Sequence, residues 1–389
     1  MKHNSMKMRF LPLVLLALSS NLMAQTEDYN VITTAVPFLI ISPDSRSGGM
    51  GDVGVSTSAD NNSIHWNVAK LAFLDDKYNG LSMSYTPWLS RLVPDIDLAY
   101  VSYHKKISDK QGLGFSLKYF SLGEINLTGE QAQSLGNLSP NEFAVDGGYA
   151  LKLSENLSMG VALRYIFSNL NQASQVTGNN TKPGQSFASD LGVYYKSRKF
   201  NLPSGQKANY ALGLLVSNVG AKITYSDDAN ADFIPTNLRL GATYTISFDE
   251  YNSMSFTAET NKLLVPTPPI RDDAGNIIQG KDDDVGSFAG IFQSFNDAPG
   301  GGQEELREFI WNGGAEYNYD DKFFLRGGYQ YEHETKGNRK YFTLGLGLKY
   351  NVFGLDFAYL IPATPTVRSP LENTLRFTLF FGFGDSSNE

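Results

Sequence analysis

Most of this 389-residue chain alternates large apolar with small or polar residues at a period of two, and the alternating segments are joined by connections that are by turns short and long. In 156–168, Leu157, Met159, Val161, Leu163, Tyr165 and Phe167 share one face, while Ser158, Gly160, Ala162 and Arg164 share the other. Leu113, Phe115, Leu117 and Tyr119 alternate in the same way with Gly114, Ser116 and Lys118, and Phe342, Leu344, Leu346, Leu348 and Tyr350 with Thr343, Gly345, Gly347 and Lys349. At helical spacing these side chains would scatter over all sides, so the period predicts strands. About fourteen are expected, at 80–87, 95–105, 111–121, 141–152, 156–168, 186–198, 207–219, 235–248, 252–263, 309–320, 322–334, 339–350, 352–361 and 373–384. Short turns at 106–110, 153–155, 249–251, Asp320-Asp321 and Asn351 alternate with long connections at 122–140, 169–185, 220–234, 264–308 and 362–372; 199–206 and Thr335 to Asn338 are the exceptions. A soluble sandwich has no reason to sort its connections by parity, whereas a transmembrane barrel carries short turns on one rim and long loops on the other. The expected fold class is all-β: a transmembrane antiparallel β-barrel of about fourteen strands, in which an N-terminus on the inner side puts every long loop outside.

The composition fits this reading. Aromatics make up 13% of residues, with 21 Tyr and 25 Phe, yet the mean hydropathy is −0.25. That average excludes a bundle of membrane-spanning helices and suits a barrel, which turns half of each strand to lipid and half to a polar lumen. The apolar stretches after the start are about ten residues long and interrupted, as by Asp356 between Val352 and Ile361. Cysteine is absent, which removes disulfides, thiolate metal sites and cysteine nucleophiles. Lys2, Lys7 and Arg9 precede an apolar run from Phe10 to Leu18 and a polar exit to Ala24-Gln25, so residues 1–24 read as a signal peptide. The remainder carries 29 basic and 40 acidic residues, a net charge of −11 that repels nucleic acid. The expected organisation is a signal peptide (1–24), an N-terminal plug segment (25–78) and the barrel with long extracellular loops (79–389).

Residues 26–75 do not alternate. They contain Pro43-Asp44-Ser45-Arg46-Ser47-Gly48-Gly49-Met50-Gly51-Asp52-Val53-Gly54 and then Ser58-Ala59-Asp60-Asn61-Asn62-Ser63-Ile64-His65-Trp66-Asn67-Val68-Ala69-Lys70-Leu71. This pair of segments resembles the N-terminal plug signature of the FadL superfamily of outer-membrane transporters, with Val68 where that pattern usually has proline. Val36-Pro37-Phe38-Leu39-Ile40-Ile41, Ser84-Tyr85-Thr86-Pro87-Trp88-Leu89, Leu92-Val93-Pro94-Asp95-Ile96, Leu117 to Gly123 and Leu157 to Tyr165 are similar to the PorV family, a FadL-like group in the type IX secretion system of Bacteroidota. The resemblance spans nearly the whole chain. It implies a non-enzymatic, integral protein of the cell outer membrane, with loops outside and the plug on the periplasmic side or in the lumen. The implied partners are the translocon pore protein, the C-terminal domains of secreted cargo, and the cell-surface sortase that attaches cargo to lipopolysaccharide, all amid outer-membrane lipid.

Residue by residue, the candidate plug motif is Asp44, Arg46, Gly49, Gly51, Asp52, Asn62, His65, Trp66 and Asn67. Trp88, Leu89, Arg91, Leu92 and Pro94 form an apolar connection expected outside, either as an aromatic anchor at the lipid surface or as a contact for the translocon or cargo. Gly49 to Gly54 is a literal G-x-G-x-x-G, but no βαβ unit surrounds it, so close backbone packing inside a barrel is expected rather than a dinucleotide. Beyond the signal segment only His65, His104 and His333 remain, without a Ser nucleophile motif, so no catalytic set is expected. Asp272, Asp273, Asn276 and Asp282 to Asp284 lack the spacing of a calcium loop and read as a solvated acidic loop; neither metal nor cofactor is expected. Glu304 to Ile310 can form one short helical turn. Two further readings stay open. A transporter of hydrophobic small molecules needs an apolar cavity under the long loops that continues to a kink in the wall, and an envelope enzyme acting on lipid A needs a histidine and a nucleophile together near the outer leaflet.

Overall fold

The computed structural model describes residues 29–74, 79–89, 95–128, 134–170, 181–226, 231–363 and 374–383. Fourteen antiparallel strands close into one barrel. They are β1 (Asn79–Pro87), β2 (Asp97–Ser108), β3 (Gln111–Ser121), β4 (Asn141–Lys152), β5 (Leu157–Asn169), β6 (Gly184–Lys196) and β7 (Lys207–Gly220). The second half gives β8 (Asn237–Ser247), β9 (Asn252–Leu263), β10 (Ile310–Tyr319), β11 (Phe323–Tyr331), β12 (Lys340–Tyr350), β13 (Phe353–Pro362) and β14 (Leu375–Phe383). Each strand pairs with its sequence neighbours, and the cylinder closes where β1 meets β14, from Asn79 opposite Phe383 to Tyr85 opposite Phe377. Closure leaves no edge of unpaired amides, the condition for backbone to cross hydrocarbon.

Burial follows the alternation. On β12, Phe342, Leu344, Leu346 and Leu348 are exposed on the outer wall, while Tyr341 and Thr343 are buried inside. Leu163, Phe187, Leu191, Leu325 and Leu379 continue this apolar outer surface. In water such a surface would be an aggregation hazard; in a bilayer it is the solvated face. The expected strands are all present, with ends displaced by up to three residues.

The connections sort by rim. One rim carries the turns 109–110, 153–156, 197–206, 248–251, 320–322 and 351–352; the other carries 88–96, 122–140, 170–183, 221–236, 264–309, 332–339 and 363–374. The tightest turns place Asp320, Asp321 and Asn351 at positive φ (54°, 50° and 52°), the left-handed region that Asp and Asn tolerate best after glycine.

The segment before β1 lies inside the barrel wall. β1 starts at the short-turn rim, but the first described residues of the chain lie at the other one. Asn30 N–H donates to the carbonyl of Thr335 (3.2 Å) and Ala35 N–H to that of Phe233 (2.9 Å), both on the long-loop rim. The segment then descends through the barrel until the Leu74 carbonyl accepts from Lys106 (3.0 Å), close to the short turn after β2. The alternation fixes where strands begin, but carries no information on the path of an irregular segment that is threaded through them.

Candidate functional site: the plugged lumen and the long-loop rim

The plug has little regular structure, so side-chain caps and wall contacts hold its shape. Helix α1 (Ser45–Gly48) is capped by Asp44, whose carboxylate accepts from Ser47 N–H (3.0 Å) and from the Trp66 indole (2.6 Å). Helix α2 (Ser63–Trp66) leads into a 3-10 segment, Val68–Phe73, capped by Asn67, which accepts from Ala69 N–H (3.1 Å). The Asn67 amide also donates to the carbonyls of Val55 and of Val193 on β6 (both 3.0 Å), tying two plug segments to the wall. Asn62 accepts from Ser102 on β2 (3.0 Å).

Three charged ties radiate from this plug. Arg46 makes a two-pronged contact with Glu316 of β10 (3.0 and 2.9 Å) and a third bond to Asp60 (2.7 Å). Glu316 also accepts from Arg326 of β11 (2.7 Å), which reaches on to Asp356 of β13 (2.5 Å). Asp52, at φ 60°, accepts from Arg376 of β14 and from the Tyr341 hydroxyl of β12, each at 2.6 Å. Burial alone would raise the Asp52 carboxyl, but the Arg376 guanidinium outweighs it and holds the group below its ordinary range. On the opposite side Lys118 of β3 donates to the carbonyls of Leu39 (3.1 Å) and Ile41 (2.9 Å).

The glycine-rich loop does bind an anion, and the anion belongs to the wall. Gly54 and Val55 N–H donate to Glu259 of β9 at 2.7 and 2.9 Å, and Arg239 of β8 pairs with the same carboxylate (2.8 Å) while lying over the Trp66 ring. Gly51, at φ 74°, donates to Thr343 (2.8 Å) and accepts from Asn312 (2.6 Å). Its neighbours lie so close to the wall that a Cβ on Gly328 would stand 2.1 Å from the Met50 carbonyl carbon, and one on Gly213 would stand 2.1 Å from the Val55 carbonyl oxygen. Gly49 packs on the backbone of Gly345. Plug backbone therefore runs against wall backbone around the lumen, a contact that any larger inward side chain would prevent.

All nine plug-motif residues thus come together inside the barrel. His65 is wedged between Trp66 and Tyr100, with ring centroids 5.0 and 6.1 Å away. Burial, followed by the positive fields of Lys118, Arg239 and Arg164, holds its pKa well below the ordinary histidine value, so it is a neutral packing ring. Burial likewise lowers Lys70 to about 8, while its ammonium donates to the Gly54 carbonyl (2.9 Å) and to Thr57 (3.0 Å). His333 caps a rim turn by accepting from Thr335 N–H (3.3 Å). Trp88 is half-buried against the Val36, Phe38 and Phe120 cluster, and Leu89 beside it sits at φ 52°; Arg91, Leu92 and Pro94 lie outside the described residues.

The wall partners Glu259, Glu316, Arg326, Asp356 and Arg376 were not singled out from sequence. The signal that finds them is parity: each is a charge at an inward position of its strand.

The largest loop, 264–309, is built rather than slack. Lys262 is buried between Glu305 (3.2 Å) and Glu308, Lys336 bridges Glu304 (2.5 Å) and Glu308 (3.0 Å), and Thr267 donates to Glu308 (2.7 Å). Helices α3 (Ser287–Gln293) and α4 (Gly302–Arg307) stand on this base, α4 where one helical turn was expected. Asp297 is buried there with one oxygen accepting from Thr267 N–H (3.2 Å) and the other unpartnered. Burial, and then the nearby Glu305 and Glu308, push its pKa up to about 6. A raised acid favours the docked loop below its ordinary pKa and loses that contribution as pH rises through about 6. Amide exchange at 294–300 is therefore expected to quicken between pH 4 and 6 beyond the intrinsic rate, by at most ~100-fold. Asp297→Asn should flatten that profile.

In a search of curated proteins no match is found. Among solved structures, the chain is similar to the Pseudomonas putida toluene transporter TodX (TM-score 0.47, 14% identity, 87% of this chain and 98% of that one). It is also similar to the Ralstonia pickettii toluene transporter TbuX (0.44, 11%, 88% and 98%) and to a Pseudomonas aeruginosa FadL homologue (0.43, 11%, 91% and 99%). The family described as type IX secretion system protein PorV matches residues 24–270, well over half of the sequence. The chain belongs to the PorV family, outer-membrane β-barrel components of the type IX secretion system.

Proposed function

We propose that this protein is a non-enzymatic docking component that binds the C-terminal domains of secreted cargo at its long-loop rim, outside the cell, and hands them from the translocon to the surface sortase. Beyond family membership, one observation carries the reading: the lumen is occupied by a plug tied to β3, β9, β10, β12 and β14 through buried charges, which leaves the rim as the working surface. The plug motif is then structural, and Trp88 and Leu89 with Arg91, Leu92 and Pro94 form part of that working surface.

A cavity of about 390 Å³ under the long loops, lined by Val31, Ile32, Pro37, Ile40, Leu263 and Ile310, favours the alternative of a transporter for hydrophobic small molecules. Its other requirement is a gap in the wall. β7 does have a register shift between Val216 and Val219, but Asn218 fills it by accepting from Arg164 and donating to the Pro235 carbonyl (2.9 Å). Pull-down from outer membranes with purified cargo C-terminal domains, beside fatty-acid uptake in a deletion strain, separates the two. Retention of cargo domains with unchanged uptake is expected; lost uptake with normal secretion sinks the docking role.

The threading supplies a topological prediction. A peptide tag placed ahead of Tyr29 is expected to be reached by antibody on intact cells, on the same side as a tag in loop 264–309. Labelling only after permeabilisation would contradict it.

A further inference from the structure

Helix α3 carries its amphipathic pattern the wrong way round for a helix that merely rests on its own protein. Gly290 and Ser294 face inward, with Gly290 against Phe233 and Pro266. At 100° per residue, Phe288 and Phe292 lie on the opposite side, about 40° apart. Phe288 is 70% and Phe292 77% exposed, and Leu306 on α4 is 69% exposed. Gly290, closed in by Phe233 and Pro266, holds this aromatic face in place, so its exposure is not a by-product of a slack loop.

Charge decides what can cover it. The long connections between strands hold eighteen acidic and nine basic residues, and 264–309 alone holds nine acidic and three basic. The short turns are close to balanced, so most of the excess negative charge sits on one rim. Anionic lipid headgroups are repelled by such a surface, as is a second copy of the chain. Asp272, Asp273 and Asp282 are exposed in the same loop as Phe288 and Phe292.

We propose that the Phe288–Phe292 face is the docking surface for a protein domain that presents an apolar cleft framed by Lys and Arg. The aromatic rings fill the cleft, and the acidic surround steers the approach. This rests on the docking role above and names its surface. In it the partner is the cargo C-terminal domain.

The test uses the full chain in nanodiscs and one purified cargo C-terminal domain. Phe288→Ser/Phe292→Ser is expected to weaken binding by at least ~10-fold. Asp273→Asn/Asp282→Asn/Asp284→Asn should weaken it by about 3–10-fold and reduce its salt dependence. Binding by the unmodified chain and by both variants with equal affinity overturns this surface but leaves the docking role standing; no binding by the unmodified chain overturns both. Phe288→Trp in nanodiscs containing brominated lipid gives an independent reading. Fluorescence quenched beyond that of the parent chain would place the face in the bilayer and overturn the proposal, whereas unquenched emission that shifts to the blue on adding the domain supports it.

Discussion

Glu316→Ala is expected to destabilise the folded barrel by about 3–5 kcal/mol. Glu316 is the carboxylate shared by Arg46 of the plug and Arg326 of the wall. Removing it leaves each guanidinium with one acidic partner, Asp60 or Asp356, in a largely buried cluster. Burying a charge is tolerated only where its neighbours compensate it, and two would lose half of their compensation together. Urea unfolding in detergent micelles, followed by the heat-modifiable gel mobility of barrels, measures the change. Glu316→Gln keeps an acceptor and should lie between the parent and alanine. An unchanged midpoint for alanine would mean that water already solvates the cluster.

Gly328→Leu should release the plug while the cylinder stays closed. The Cβ would meet the Met50 carbonyl carbon at 2.1 Å and the Gly51 nitrogen at 2.2 Å, both backbone atoms that no rotamer can move aside. Overpacking of this kind costs about 1–3 kcal/mol where neighbours can shift, and more where they cannot. The loop must retreat from β11, breaking the bonds of Gly51 to Thr343 and Asn312. Protease is then expected to cut between Gly48 and Gly54 in the folded variant and to spare that segment in the parent. Planar bilayers should show current steps for the variant alone.

Alternation made the barrel legible before any coordinates. Leu344, Leu346 and Leu348 can share a face only in an extended strand, and the parity of the connections needs nothing more than their lengths. The plug was legible as a motif but not as a set of partners. Arg46 meets Glu316 across 270 residues and Asp52 meets Arg376 across 324, pairings that no local pattern encodes. The glycines of 49–54 marked close backbone approach, yet whether the anion at their amides is a cofactor phosphate or Glu259 depends on the register of β9. The exposed aromatic face of α3 was hidden for another reason: a seven-residue helix in a long polar connection is too short to declare its period.

The account as a whole requires that the plug stay in place while the protein works. The chain has no cysteine, so a single engineered disulfide tests this cleanly. The Ser56 and Thr243 hydroxyls are 2.8 Å apart, one on the plug and one on β8, and cysteines at both positions put the sulfurs within bonding reach. In a deletion strain complemented with Ser56→Cys/Thr243→Cys, cargo should arrive at the cell surface equally well with the pair oxidised or reduced. Arrival that stops on oxidation and resumes on reduction would show a moving plug and a working lumen, and would contradict the account.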